Sequence, residues 1–410
     1  MDCPLGGINI FLTFHSLDIL RPPIRVSSKS MAGRAYNTTK ILSKVLLVAG
    51  LLYCFLVSIG LMGAAFRGFG KGFAQQLIET TSNPFIGLFI GILATSIVQS
   101  SSTTTSIVVG MVGSGVLEVS CAIPIIMGAN IGTTVTNTLV SLGHVSRRDE
   151  FRRAMSAATV HDFFNLICVS VLFPLEMLTG YLEKTATLMS SLFKDVGGVK
   201  FTSPIKLATG PVVHAIQDII GWICKHVSAS SIFANVFVLI ASFVILFFSL
   251  YFLVRVMRSL VVKRAEIILD NVISRHALLG FLAGLFFTII VQSSSVTTSL
   301  LVPLVAAGIL TIEAAFPITI GANIGTTTTA ILASFATGNI SAIVIAFAHF
   351  LFNLTGAVFI YPIKWFRIIP IHLAKSLGNL AAEKRRYAVA YVLCVFFVIP
   401  SLLILISRLF

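Results

Sequence analysis

Two short polar motifs interrupt long apolar stretches of this sequence, and their residue types suit the binding of an anion. Both motifs read Gln-Ser-Ser-Ser. Within a membrane such a turn must be buried in protein or line a wet cavity, because unpaired backbone groups are costly in lipid. Its N–H groups and hydroxyls, at the positive ends of two half-helices, suit a tetrahedral oxyanion. The alternative is that the hydroxyl residues only allow close helix packing. The predicted anion-binding residues are Gln99, Ser100, Ser101, Ser102, Gln292, Ser293, Ser294 and Ser295.

A second element, Asn-Ile-Gly-Thr-Thr, also occurs twice, beginning at Asn130 and at Asn323. Its amide oxygens, hydroxyls and unwound carbonyls form the kind of oxygen-rich environment in which transporters hold Na⁺. No Lys or Arg lies in residues 91–136 or 284–329. Cations bound nearby would therefore offset the charge of a bound anion. The predicted sodium-binding residues of these elements are Asn130, Thr133, Asn323, Thr326 and Thr329.

Asp162 is the clearest acidic residue inside an apolar segment. Acidic side chains in membrane spans are rare and costly, which makes each one a candidate for function. We therefore predict that Asp162 also binds Na⁺. The alternative is a structural role, in which Asp162 forms a buried pair with His161 or with Arg152 or Arg153 at the membrane edge.

These motifs belong to one internal repeat. A shift of 193 residues aligns residues 91–136 with 284–329 without a gap, and 26 of these 46 positions are identical. After a loop of different length, the match continues at a shift of 188, where His161 aligns with His349. Each half therefore contains an opening span, a Gln-Ser-Ser-Ser element, an Asn-Ile-Gly-Thr-Thr element and a closing span.

The number of membrane crossings in each half predicts the architecture. If the Gln-Ser-Ser-Ser element is a re-entrant hairpin and the Asn-Ile-Gly-Thr-Thr element a broken crossing helix, each half crosses three times, so the second half is inverted. We predict an all-α integral membrane protein of two inverted-topology repeats with re-entrant hairpins and discontinuous helices, as in secondary transporters. Uninterrupted apolar spans are predicted near residues 41–63, 155–178, 231–255, 341–362 and 388–407.

The composition excludes a water-soluble protein. Of the 410 residues, 56% are hydrophobic and 11% are charged, whereas soluble domains carry about 25% charged residues. The net charge of +14 comes from basic clusters at predicted membrane edges, which is the positive-inside pattern. It predicts a multi-pass protein of the cell membrane with a cytoplasmic N-terminus. The predicted divisions are a cytoplasmic segment (1–40), repeat 1 (41–180), an outer connecting loop (181–230), repeat 2 (231–363), and a cytoplasmic segment with a final transmembrane helix (364–410).

The sequence resembles the type II sodium-dependent phosphate cotransporters. Besides the paired Gln-Ser-Ser-Ser motifs, the likeness rests on residues 123–138, on Phe-Arg-Arg at 151–153, on Ala-Thr-Val-His-Asp at 158–162, on Tyr-Pro-Ile at 361–363 and on Leu-Gly-Asn at 377–379. The resemblance implies inorganic phosphate as substrate, Na⁺ as the cotransported ion, and a phosphate site formed by both motifs.

The resemblance also implies roles for single residues. Asp162 matches the aspartate that separates charge-moving members of the family from electroneutral ones, which implies electrogenic transport. Asn165 and Thr326 match positions implicated in cation binding, so Asn165 joins the predicted sodium-binding residues.

Departures from the animal pattern predict a bacterial-type member. His144 and Arg147 replace a Gln-x-x-Asp pair, and Ala322 replaces a serine, so one cation site is expected to be altered. The loop between the halves lacks the paired cysteines of animal members, and the chain ends at Phe410, one apolar segment earlier than theirs. Met31 is an alternative start, because a polar lead into the first span begins there.

Other functions are weaker alternatives. Hydroxyl and amide donors do not by themselves distinguish phosphate from another oxyanion, so a Na⁺-coupled carrier of sulfate or a dicarboxylate stays open. A serine hydrolase needs an activated serine and an oxyanion hole, and no Gly-x-Ser-x-Gly surrounds Ser101 or Ser294. No enzymatic activity is therefore expected. The expected partners are inorganic phosphate, sodium ions and the lipid bilayer, with a homodimer left open; neither nucleic acid nor a cofactor is expected.

Overall fold

The computed structural model describes residues 28–193, 203–228, 230–272 and 276–407, and gives side chains outside 28–41 and 260–272. The predicted all-α class is confirmed, since the described elements are helices and none of them is a strand. The packing given below lies within residues 47–410, which form one unit.

The helices are α1 (Ser28–Gly68), α2 (Lys71–Thr81), α3 (Pro84–Val98), α4 (Ser101–Ser114), α5 (Val119–Gly132), α6 (Val135–Leu142), α7 (Arg148–Thr179), α8 (Tyr181–Ser190), α9 (Pro204–His226), α10 (Ser231–Val272), α11 (Ala277–Val291), α12 (Ser294–Ala306), α13 (Ile312–Thr337), α14 (Ile340–Ile360), α15 (Lys364–Glu383), α16 (Arg386–Leu393) and α17 (Ile399–Ser407), with a 3₁₀ turn at Ser191–Phe193 and a π-helical segment at Cys394–Val398.

Seven helical segments of the described chain are long and apolar enough to cross a membrane. They are Leu42–Gly68, Val119–Leu142, Arg148–Thr179, Pro204–His226, Ser231–Ser259, Ile340–Ile360 and Arg386–Ser407. All five predicted uninterrupted spans are among them. The count becomes eight if α2 and α3, which meet at a bend of 98°, form one broken span. Helix α13 was predicted to cross but is not one of the seven.

Each Gln-Ser-Ser-Ser motif joins two short helices, α3 to α4 and α11 to α12. These helices have 13 to 15 residues, which corresponds to about 20 to 22 Å. None of them alone spans the roughly 30 Å of bilayer hydrocarbon. This length agrees with a hairpin that enters and leaves on one side, and the re-entrant path itself stays a prediction.

Close backbone contact fixes each hairpin against the helix of the next motif. A Cβ atom at Gly128 of α5 would overlap the carbonyl oxygen of Leu88 on α3. A Cβ atom at Gly321 of α13 would overlap the carbonyl oxygen of Phe281 on α11 in the same way. Gly128 and Gly321 match in the repeat, so both copies use glycine where two helix backbones touch.

The Asn-Ile-Gly-Thr-Thr elements differ between the copies. In the first, Thr133 and Thr134 separate α5 from α6. In the second, α13 continues through the element without a break, so the predicted discontinuity is absent there. The matching threonine side chains also differ in their partners. Thr134 Oγ1 lies 3.1 Å from His161 Nδ1 on another helix, whereas Thr327 donates to the Ile324 carbonyl of its own helix at 2.7 Å.

The segment 181–230, predicted as a connecting loop, is largely helical where it is described. It contains α8 and the 23-residue α9. Pro204 occupies the first turn of α9, where its missing N–H is harmless, and the Ser203 side chain accepts from the Lys206 N–H. Helix α9 packs against α10 and α13. Whether this segment lies outside the membrane stays a prediction.

We expect Gly128→Ala and Gly321→Ala to lower the melting temperature of the purified protein. The new methyl group would force α3 from α5, or α11 from α13, and overpacking of this kind costs about 1 to 3 kcal/mol. Gly50→Ala is the matched control, because a Cβ atom there meets nothing within 4 Å. Thermal unfolding in detergent measures the effect, and equal melting temperatures for all three variants would contradict the packing argument.

Candidate oxyanion and cation site

Both Gln-Ser-Ser-Ser motifs adopt the same unusual backbone conformation. Gln99 has φ 57° and ψ 27°, and Gln292 has φ 59° and ψ 27°. This left-handed region costs a residue with a side chain roughly 1 to 2 kcal/mol. Each glutamine N–H closes the preceding helix, on the carbonyl of Thr95 at 2.6 Å or of Thr288 at 2.7 Å. The chain then turns sharply into the next helix.

The first serine of each motif caps the helix that follows. Ser100 Oγ accepts from the Thr103 N–H at 3.2 Å, and Ser293 Oγ accepts from the Val296 N–H at 3.3 Å. This is the usual role of a serine at a helix N-terminus. The cap satisfies one N–H of the first turn in each helix and leaves the others available.

The second and third serines of each motif are free to bind. Ser101 and Ser294 are buried, with 4% and 3% exposure. No hydrogen bond from the hydroxyls of Ser101, Ser102, Ser294 or Ser295 to another described residue is recorded. Each turn therefore offers two hydroxyl donors beside the unpaired N–H groups of a helix N-terminus, a combination that suits an anion.

The surroundings of the two turns are not identical. Gln292 is almost buried, and its side chain accepts from Thr329 at 2.7 Å and donates to Thr328 at 3.2 Å. Gln99 is exposed. Behind the second turn Thr288 and Thr297 share a hydrogen bond, whereas the matching Thr95 hydroxyl is buried and no described residue bonds to it. Thr329, predicted to bind Na⁺, therefore orients Gln292 in this structure.

Each serine-led helix packs against the other copy. Helix α4 packs on α13, and α12 packs on α6 and α7. Asn137 of α6 accepts from Thr298 at 2.9 Å and from Ser299 at 3.1 Å, both on α12. The helices that begin at the two turns therefore both pack on the opposite copy, and a single anion shared between the turns stays a prediction.

Three predicted sodium-binding asparagines meet in one buried cluster. Asn165 donates to the Asn130 carbonyl at 2.9 Å and accepts from Asn323 at 2.9 Å. Asn323 also lies 2.9 Å from the side-chain oxygen of Asn353. None of these side chains is more than 3% exposed. The cluster joins α5, α7, α13 and α14.

Two histidines complete this cluster. His161 Nε2 lies 3.1 Å from the Asn165 amide, and His349 Nε2 lies 3.3 Å from the Asn130 side-chain oxygen. His161, His349 and Asn353 were not predicted as site residues. The internal repeat could have indicated them, because His161 matches His349 and Asn165 matches Asn353 in the closing spans of the two repeats.

Asp162, which directly follows His161 in α7, contacts a helix outside the repeat. It is fully buried, and its Oδ2 accepts from the Tyr391 hydroxyl of α16 at 2.6 Å. Its other oxygen, Oδ1, has no hydrogen-bond partner among the described residues. The alternative of a pair with an arginine is wrong, since Arg153 donates to the Ala306 carbonyl and Arg152 lies 3.5 Å from Asp149. Nor is a hydrogen bond between Asp162 and His161 recorded.

The remaining predicted threonines bond within their own helices. Thr133 donates to the Ala129 carbonyl at 3.1 Å, and Thr326 donates to the Ala322 carbonyl at 3.2 Å. A threonine hydroxyl used in this way keeps its lone pairs, so both can still accept or ligate.

The sequence profile of the Na⁺/Pi-cotransporter family matches residues 54–193 and 245–364, which cover most of both repeats. The chain belongs to this family. Sodium-dependent phosphate transport protein 2B of Pongo abelii is 37% identical over 97% of this chain and 73% of its own length. The 2B protein of Homo sapiens is 37% identical over 92% of this chain and 67% of its own length. The 2A protein of Rattus norvegicus is 38% identical over 94% and 70% respectively. No solved structure matches the chain.

Two of the three residues that depart from the animal pattern of the Na⁺/Pi-cotransporter family, His144 and Arg147, pair with one carboxylate. Arg147 lies 2.7 Å from Glu150, and His144 lies 3.5 Å from it. The hydrogen bond to Glu150 raises the pKa of the exposed Arg147 guanidinium above its ordinary value. Ala322 is fully buried beside Asn323. The alteration of one cation site in this family member stays a prediction.

Proposed function

We propose that the protein imports inorganic phosphate together with Na⁺. The observation that carries the proposal is the pair of matched turns, each with two serine hydroxyls free of protein partners. The family and the names of the relatives, which are sodium-dependent phosphate transport proteins, support phosphate over another oxyanion. No feature of the site favours sulfate or a dicarboxylate.

The chemistry of the turns fits a carrier better than a tight binding protein. Phosphate would be held by neutral N–H and O–H donors, since residues 91–136 and 284–329 contain no Lys or Arg. Its charge must then be balanced by ions that arrive with it. Binding of the anion would depend on Na⁺, which is the physical basis of coupling.

Sodium ions would be held by the oxygens of the asparagine cluster and by Asp162. The cluster supplies side-chain and backbone oxygens of Asn130, Asn165 and Asn323, and the unpartnered Oδ1 of Asp162 supplies a negative charge. Phe350 stands at the position that matches Asp162 in the second copy. The single carboxylate is therefore not a requirement of the repeat, which supports a role in moving one extra cation.

Orientation and assembly are further parts of the proposal. The basic residues at 144–153 and 364–386 would face the cytoplasm, together with the N-terminus, as the positive-inside pattern predicts. The second repeat would then be inverted relative to the first. A homodimer is compatible with the site, which is built within one chain.

Radiolabelled phosphate uptake into proteoliposomes tests the function. We expect accumulation with Na⁺ outside and none with K⁺ outside, because only Na⁺ balances the anion. Arsenate, which has the same shape and charge, should compete, and sulfate should not. Phosphate uptake that is independent of the Na⁺ gradient would refute coupling. Stronger competition by sulfate than by arsenate would refute phosphate as substrate.

Ser101→Ala and Ser294→Ala should each weaken phosphate uptake in that assay. Loss of one hydrogen bond to a charged group costs about 1.5 to 3 kcal/mol, so KM for phosphate should rise roughly 10- to 100-fold. Ser114→Ala is the control, because Ser114 lies at the other end of α4 and bonds its own helix. If only one of the two variants is impaired, the anion does not contact both turns.

Asp162→Gly should leave Na⁺-driven uptake measurable and remove its dependence on membrane voltage. One Na⁺ fewer would accompany each divalent phosphate, and one net charge is worth about 2.3 kcal/mol per 100 mV. Tyr391→Phe is the control, since it removes the hydrogen bond to Asp162 and keeps the carboxylate. Uptake measured at imposed potentials decides the role: unchanged voltage dependence in Asp162→Gly would assign Asp162 a structural role.

A further inference from the structure

Two cavities with charged side chains in their walls lie at opposite ends of helix α13. Ile312, at its first turn, lines a cavity of about 480 Å³, and Thr337, at its last, lines another of about 460 Å³. Because α13 has 26 residues, these ends are about 38 Å apart. We call the second one the α9 cavity, since α9 forms one wall and α1 and α4 contribute to the others.

The α9 cavity is lined by basic side chains and by no carboxylate among the described residues. Arg67 comes from the end of α1, and Lys206 and His214 come from α9. Two glycines lie close to the charged groups of Arg67 and Lys206. A Cβ atom added at Gly63 would lie 3.4 Å from Arg67 Nη1, and one added at Gly338 would lie 3.4 Å from Lys206 Nζ.

These cations have no recorded protein partner. No salt bridge or hydrogen bond joins the Arg67 guanidinium or the Lys206 ammonium to another described residue. Asp218, the acidic residue of α9, is exposed and does not line the cavity. A recess with walls of one charge sign concentrates ions of the opposite sign and speeds their arrival.

The cavity at the other end of α13 is different. It also contains cations, but Lys375 forms a 2.6 Å ion pair with Glu313 there. Arg152, which lines it as well, lies 3.5 Å from Asp149. The positive charge of that cavity is therefore largely compensated by carboxylates. In the α9 cavity no described carboxylate does so, and the partial negative charges at the C-terminal ends of α1, α4 and α13 offset only part of the charge of Arg67 and Lys206.

The α9 cavity is separate from the serine turns but shares a helix with the first of them. Gly113, which lines the cavity, lies near the C-terminal end of α4. Ser101 begins the same helix, 12 residues earlier, which is about 18 Å away. With a cytoplasmic N-terminus, as proposed above, α1 ends on the outer side, so this cavity opens toward the source of the substrate.

We propose that the α9 cavity is a collecting site for the phosphate oxyanion before it reaches the serine turns. This inference rests on the proposed function. Arg67 and Lys206 attract the hydrated anion, and His214 and Gln217 line its path. The site binds weakly, because the cavity is wide and keeps the ion in water, and it acts on the concentration dependence of uptake rather than on the transport step.

Phosphate uptake kinetics of Arg67→Gln and Lys206→Gln in proteoliposomes test the proposal. At a fixed Na⁺ gradient, KM for phosphate should rise about fivefold for each charge removed. This factor corresponds to the interaction energy of two unit charges about 4 Å apart in a water-like medium. The maximal rate should stay unchanged. Raising the ionic strength with choline chloride should increase KM of the parent and have little effect on the double variant, because salt screens exposed charge.

Three comparisons make the test selective. Lys71→Gln removes an exposed positive charge just beyond the end of α1 that does not line the cavity, and it should leave KM unchanged. Arg67→Lys keeps the charge and should keep the parent KM. Vesicles of pure phosphatidylcholine should give the same effects as vesicles that contain phosphatidylglycerol.

Each outcome has a separate meaning. An unchanged KM and salt dependence in the double variant, with normal uptake by the parent, would overturn the collecting site alone. An equal effect of Lys71→Gln would assign the change to general surface charge. An effect seen only with phosphatidylglycerol would assign the cavity to a lipid headgroup. A parent without Na⁺-driven uptake would overturn the proposed function and the collecting site with it.

Discussion

Direct backbone contact between helices, made possible by glycine, is the constraint on which the rest of the structure depends. Gly128 and Gly321 let α5 and α13 touch the carbonyls of α3 and α11. In lipid there is little hydrophobic force between helices, so such contacts must supply the packing energy. They hold two hairpins rigid enough to keep Gln99 and Gln292 in a left-handed conformation that an isolated turn would relax. The backbone strain at Gln99 and Gln292 therefore lies close to the two serines of each motif whose hydroxyls are available for binding.

The asparagine cluster carries the cost of burying polar side chains, and it fixes how the two copies align. Buried amides stabilise a fold only when they are bonded, since an unsatisfied polar group costs about 1 to 3 kcal/mol. Asn165 and Asn323 meet that requirement by bonding across the two copies. A shift of one copy against the other would break several bonds at once, so the cluster fixes their register. Replacement of these protein bonds by oxygen–cation contacts offers a compact way for Na⁺ to change how the copies fit together.

The sequence predicted the two equal turns and missed contacts that depend on how distant parts of the chain pack. The identity of residues 91–136 and 284–329 was enough to infer two equal turns, and both glutamines have the same φ and ψ. The break between α5 and α6 is absent from α13 although the two elements have the same sequence, so no local pattern reveals it. Tyr391 reaches Asp162 from a helix outside the repeat, so only the fold could bring them together. His349 and Asn353 carried a signal in the repeat, but their role follows from geometry across the interface.

Helix α13 ends at one cavity and begins at the other, and this has a mechanical consequence. A helix whose backbone hydrogen bonds stay closed keeps its length, so an axial step that withdraws one end of α13 from its cavity would push the other end toward the opposite cavity. Access from the two sides of the membrane would then be reciprocal without a separate linkage between gates. The second Asn-Ile-Gly-Thr-Thr element lies within α13, so ligands bound to it would move together with the helix that controls access.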